Sequence, residues 1–188
     1  MTGMALVRFA HDLLSPAELS AARLDGELVA IGDGYTAADG LETAAVRAAS
    51  LRPILGTRLV AIGLSAAWVH GAAGLPPAVH HIQRGAAGVS RPVRHDIRFR
   101  DTPIAEADTV VLGGVRVATP VRTLVELARE SADPAAARAA RRLTTADLAE
   151  EATAWLRAHL RFPGRQRALA FLAELASDDP APQDDVTR

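Results

Sequence analysis

The stretch Thr109-Val110-Val111-Leu112-Gly113-Gly114-Val115-Arg116-Val117-Ala118-Thr119-Pro120-Val121-Arg122-Thr123-Leu124-Val125-Glu126-Leu127-Ala128-Arg129 decides the fold. Two short apolar runs flank Gly113-Gly114, a compact hairpin signal because paired glycines tolerate a tight turn. Thr119-Pro120 then opens a helix running to about Glu130: threonine caps, and proline is tolerated at the first helical position. Val121, Leu124, Val125 and Ala128 share one face of it, and Arg122 stands four residues before Glu126, the spacing of a helical ion pair. Strand, turn, strand and helix in immediate succession point to a mixed α+β protein.

Downstream, Asp133-Pro134 starts a helical region in three pieces, 135–143, 145–160 and 163–176, and residues 178–188, with two prolines and four aspartates, read as a disordered tail. Upstream, Ala45, Val46, Ala49 and Leu51 recur at helical spacing within 41–55, where Pro53 limits the helix. Residues 59–62 read as a buried strand, and Ser65 as the cap of a short helix, 66–70, that Gly71 stops. Two strands follow, 78–84 and 93–100, and the Gly- and Ser-containing link 85–91 predicts that they pair as a hairpin. Near the N-terminus, Ser15-Pro16-Ala17-Glu18 is a capping box opening a helix to Gly26. Alternation over 27–31, the Gly32-Asp33-Gly34 turn and Tyr35-Thr36 make a hairpin after it. Residues 5–14 predict one more short helix.

Composition closes off several chemistries. The chain has no cysteine, and all 21 basic residues are arginine. There is therefore no thiol nucleophile, disulfide or thiolate zinc site, and no phosphate-loop or Schiff-base lysine. Arginine cannot substitute, since it stays protonated at physiological pH. Carboxylate and histidine chemistry remain. The 188 residues, 49% hydrophobic, suffice for a core. The longest apolar stretch, 59–69, is well short of the roughly 20 residues of a membrane span. Residues 1–14 lack a signal pattern, so a cytoplasmic location is expected. Net charge is −2 over 1–79, +5 over 80–167 and −4 over 168–188, a basic middle between acidic ends.

Three blocks then bear comparison with a known family. Residues 15–35 have the form of a winged-helix end, a helix followed by a Gly-x-Leu-x-x-Ile-x-x-Gly-Tyr hairpin. Leu64-Ser65-Ala66-Ala67-Trp68-Val69-His70-Gly71 follows the pattern S-A-A-x-x-x-G. Residues 114–129 follow G-x-x-V-T-x-x-x-R-T-x-x-D-L-A-R, with Arg122, Thr123, Glu126, Leu127, Ala128 and Arg129 at the motif positions. In the order and spacing of these blocks, across most of residues 12–172, the chain resembles the AbiEi-type antitoxins of type IV (abortive infection) toxin–antitoxin systems, in the short form without a C-terminal nuclease-like domain. The resemblance implies phage defence by an antitoxin that neutralises a nucleotidyltransferase-like toxin. It also implies an N-terminal winged helix through which the operon is repressed. The fold expected on both grounds is α+β. It comprises a degenerate winged-helix-like module (1–40), an α+β antitoxin-like domain with a mixed sheet and flanking helices (41–176), and an acidic tail (177–188).

DNA binding requires phosphate neutralisation, yet residues 1–40 set Arg8 and Arg23 against six acids, and the wing turn carries Asp33 and no arginine. The basic residues concentrate instead in 80–100. Arg84, Arg91, Arg94, Arg98 and Arg100 are the candidate partner-binding residues, and alternation puts Arg94, Asp96, Arg98 and Arg100 on one face with Phe99 toward the core. Against this stands the plain solvent face of a half-exposed sheet. His80-His81 and His95-Asp96 cannot each hold one ion, because adjacent strand residues point to opposite faces. Gly63-Leu64-Ser65 lacks the second glycine of a nucleophile elbow. Trp68 and Trp155 read as core anchors, and Arg122 as structural. No catalytic, metal or cofactor residues are expected. Protein is the expected partner, operator DNA the second; a transcriptional regulator and a small enzyme built on Asp, Glu, His and Arg stay open as rival functions.

Overall fold

The computed structural model describes Val7 and residues 15–32, 34–85 and 94–178. The decisive stretch folds as its sequence dictates. β6 (Thr109–Leu112) and β7 (Val115–Ala118) pair antiparallel with Leu112 opposite Val115, and Gly113 and Gly114 occupy the turn at φ 55° and 82°. Helix α5 (Pro120–Arg129) follows, capped by the Thr119 hydroxyl, which accepts from the Arg122 backbone N–H at 3.2 Å. A non-glycine residue at either turn position would be strained, because left-handed φ brings Cβ against the following carbonyl.

These strands belong to a five-stranded mixed sheet of order β5-β4-β3-β7-β6, with β3 (Leu59–Ala61) at its centre, β4 (His80–Arg84) beside it and β5 (Ile97–Pro103) at one edge. β3 runs parallel to β7 and antiparallel to β4. The hairpin expected of the two strands in 78–100 is not formed: β4 and β5 pair in parallel, His80 opposite Ile97 and Ile82 opposite Phe99. Alternation of side chains fixes faces but not strand direction, and the link between them is long enough for the crossover that a parallel pair requires. The sheet is thus mixed, as expected, by a different route.

The helix expected over 41–55 is two, α2 (Ala44–Ser50) and α3 (Arg52–Leu55), broken at Leu51 just before Pro53. α4 (Gly63–Val69) starts earlier than expected, with Ile62 at its cap position. Ser65 therefore lies inside the first turn and is not the cap; its hydroxyl accepts from the His81 backbone N–H at 2.9 Å and so ties α4 to β4. The C-terminal helices α6 (Pro134–Leu143), α7 (Ala146–Ala158) and α8 (Arg165–Asp178) match the three pieces read from sequence. All of the helix predicted over 5–14 except Val7, and nearly all of the predicted tail, lie outside the described residues.

Two apolar clusters meet across α4. One gathers the sheet, α2 and α3 around Trp68, Val69, Val60, Ile82 and Val117; the other is helical, built on Leu124, Val125 and Leu127 of α5 with Ala139, Ala140, Leu156 and Leu172. The N-terminal hairpin joins the first. α1 (Pro16–Leu24) carries the predicted capping box, with the Ser15 backbone N–H donating to Glu18 at 2.7 Å. β1 (Leu28–Ile31) and β2 (Gly34–Ala37) form the predicted hairpin. Ile31 is buried in the sheet cluster. At the hairpin tip a Cβ on Gly32 would stand 2.5 Å from Ser50 Oγ and 3.2 Å from the Trp68 ring, so the tip sits directly on the domain.

Candidate functional site

The charged residues of the decisive helix come together beneath β5. Glu126 is 1% exposed, yet three guanidinium groups converge on it: Arg122 Nη2 donates to Oε1 at 2.5 Å, Arg100 Nη1 to the same oxygen at 2.7 Å, and Arg129 Nη2 approaches Oε2 at 2.8 Å. Burial pushes the Glu126 carboxyl up, but the three arginines outweigh it and hold the group below the ordinary glutamate range. Arg122 also reaches Asp108 at 3.5 Å, and its guanidinium lies 4.8 Å from the Trp155 ring centroid and 5.0 Å from that of Phe162. Trp155 is half-buried, donates its indole N–H to Asp108 at 2.8 Å and stacks on His159. Arg122 is therefore structural, as the sequence indicates: its charge is met by carboxylates and its faces by aromatic rings.

This arrangement engages part of the predicted arginine row. Arg100 is bound to Glu126 and lies 3.7 Å from Glu130. Arg98, 62% exposed, makes an ion pair with Glu130 at 3.2 Å. Arg94, in the turn before β5, forms a two-pronged contact with Asp96 at 2.9 and 2.5 Å, which holds the Asp96 carboxyl far below the usual range. Arg84 reaches Asp101 at 3.4 Å, and Arg91 lies outside the described residues. Arg98 and Arg100 do share a face, with Phe99 packed toward the sheet cluster. The acids that meet them, Glu126 and Glu130, carry no sequence signal as their partners, and neither does Asp108 as a partner of Arg122. Arg129 was recoverable from the Arg-x-x-x-Glu-x-x-Arg spacing, which stacks all three side chains on one helical face; Asp108 had no local signal.

The adjacent pair His80 and His81 is packed inside the domain. His80 Nδ1 is 3.3 Å from Ser65 Oγ, both buried, and the His81 ring lies against Gly63. Among the described residues no group of three or more His, Asp or Glu side chains is placed to hold a metal ion. Burial lowers the pKa of His70, partly offset by its 2.8 Å contact to the Ala118 carbonyl, and burial likewise lowers that of His81. Both imidazoles are thus more easily protonated in the unfolded chain, so stability is full above the unfolded value near 6.5 and falls as pH drops through it. The melting temperature should decline from about pH 7 to about pH 5, the window in which histidine titrates. Proton titrations of the two rings followed by NMR should give midpoints below 6.5; midpoints at or above it would contradict this account.

Among the described residues no helix is long and apolar enough to cross a membrane. No curated protein matches the chain. Residues 59–175 match the family model of the AbiEi antitoxin C-terminal domain, a span running from β3 through the ionic cluster into α8 and covering well over half of the chain. That family is one of antitoxins in toxin–antitoxin systems and not of enzymes, which implies a toxin as partner. With sheet, central helix and Arg-x-x-x-Glu-x-x-Arg cluster all inside the matched span, the chain belongs to the AbiEi antitoxin family.

Proposed function

We propose that this protein neutralises a nucleotidyltransferase-like toxin by direct contact in the cytoplasm, through Arg84, Arg94, Arg98 and Arg100 at the arginine-bearing margin of the sheet, with Arg91, outside the described residues, as a fifth contact. The observation that carries this reading is the position of β5: it is an edge strand, and Arg98 projects from it largely exposed. An edge strand offers unpaired backbone groups to a partner, and a basic rim favours an acidic one. The alternative partner, operator DNA, is less well served. The hairpin tip that a winged helix presents to DNA is seated on Ser50 and Trp68, and residues 1–40 carry a net charge of −4.

Co-expression with a nucleotidyltransferase-like toxin tests the reading. The wild type should restore growth, and Arg98→Glu, which reverses an exposed charge and turns its contact with Glu130 into a like-charge one that Arg100 and Arg129 still compensate, should weaken rescue by about tenfold or more while lowering the melting temperature by only a few degrees. Absence of rescue by the wild type would overturn the proposal. Autoregulation is tested separately by a gel shift with the operon's promoter fragment, in which specific binding would weaken steeply with added salt.

A further inference from the structure

A second surface is lined by none of the arginines of the β5 margin. The segment joining α4 to β4 and the outer face of α6 enclose a cavity of about 170 Å³, with Leu64, Ala72 and Ala139 among its apolar lining and Leu75, Arg138 and Arg142 also around it. Leu75 is 81% exposed. Arg138 and Arg142 are four residues apart on α6 and therefore on one face. Both are exposed, and among the described residues neither has an ion-pair or hydrogen-bond partner, whereas Arg141 between them lies over the Phe171 ring at 5.4 Å.

We propose that this groove docks an acidic segment of a partner protein, which inserts one leucine-sized side chain and places carboxylates against Arg138 and Arg142. Volume sets the size of the occupant: the cavity is smaller than the roughly 300–1,000 Å³ of small-molecule sites and fits a single anchoring side chain. Charge sets the sign, since two unmatched guanidinium groups beside an apolar floor favour carboxylates flanking an apolar residue. A nucleic-acid strand fits less well, because no aromatic ring lines the groove for a base to stack on and the exposed Leu75 offers a phosphate nothing. The groove shares no residue with the arginine margin of β5, so it stands independently of the toxin contact.

The test uses the full chain and a fluorescein-labelled synthetic peptide of glutamate and serine with one central leucine, followed by fluorescence anisotropy at low salt. Binding is expected, and it should weaken by about tenfold when the leucine is replaced by serine, as for loss of an anchor residue. Arg138→Glu combined with Arg142→Glu should weaken it at least as much. Gly74→Trp should do the same by filling the groove; a Cβ at Gly74 meets nothing within 4 Å and its φ is not left-handed, so this variant keeps the backbone intact. Arg98→Glu should leave the affinity unchanged. The proposal is overturned if the peptide does not bind, if Gly74→Trp binds it as well as the wild type, or if a single-stranded oligonucleotide displaces it. It is equally overturned if sedimentation shows a dimer that Gly74→Trp dissociates, since the occupant would then be a second copy of the chain.

Discussion

Replacing Glu126 by alanine is expected to lower the unfolding free energy by about 3–5 kcal/mol, because it leaves buried cations without their counter-charge. Three arginines share this carboxylate, and Arg122, the most deeply buried of them, keeps among carboxylates only its longer contact to Asp108 once Glu126 is gone. Urea unfolding measures the loss. Glu126→Gln, which retains hydrogen-bonding oxygen but not charge, should fall between alanine and the wild type. The double replacement Arg122→Met with Glu126→Leu should recover much of the difference, since removing both members of a buried pair is far less costly than removing one. A loss below about 1 kcal/mol for Glu126→Ala would mean that the cluster is no stronger than a surface ion pair. Acid should act in the same direction. The folded-state pKa of Glu126 is depressed, so its contribution is present above the unfolded glutamate value and disappears as pH falls through the folded one.

The turn between β6 and β7 yields the second large effect, and a sharp contrast between neighbours. Both glycines have left-handed backbone, so alanine at either should cost about 1–2 kcal/mol of conformational strain. At Gly114 that is the whole cost, because a Cβ there meets nothing within 4 Å. At Gly113 a Cβ would run into the Ala45 carbonyl oxygen, stand 2.7 Å from the Ala49 backbone nitrogen and lie 2.9 Å from the Ala49 Cβ. Since the obstacles are largely helix backbone, α2 must move, and overpacking of this kind adds about 1–3 kcal/mol. Thermal denaturation of the two single variants side by side decides the matter. Equal losses would show that the turn does not bear on α2.

Local signals accounted for much of this architecture. Thr119-Pro120, Gly113-Gly114 and the Ser15–Glu18 box each act within a few residues, and each appears where the sequence places it. What failed was whatever depends on the far side of the sheet. Strands β4 and β5 carry faces that alternation reveals, but their shared direction depends on a crossover that no side-chain pattern records. Ser65 has a cap residue's chemistry, and only the approach of His81 shows that its hydroxyl is used across a helix–strand contact. The candidate site divides the same way. Arg122 and Glu126 announce their pairing by spacing, whereas the convergence of Arg100 from β5 and Asp108 from before β6 on the same cluster is a product of sheet order. The unmatched pair on α6 was visible only as part of a basic middle region. That they face a cavity follows from the path of residues 72–77, which has no periodicity to read.

The partition of the interior across α4 gives each region its own optical probe. The chain holds two tryptophans, Trp68 in the sheet cluster beneath the Gly32 turn and Trp155 against Arg122 and His159 at the helical cluster. Emission from Trp68 should shift to the red when the N-terminal hairpin lifts, and emission from Trp155 should change when the ionic cluster loosens. With either tryptophan replaced by phenylalanine, the remaining fluorophore times the release of its own half of the molecule. The order in which the two halves come apart then becomes a directly observable quantity.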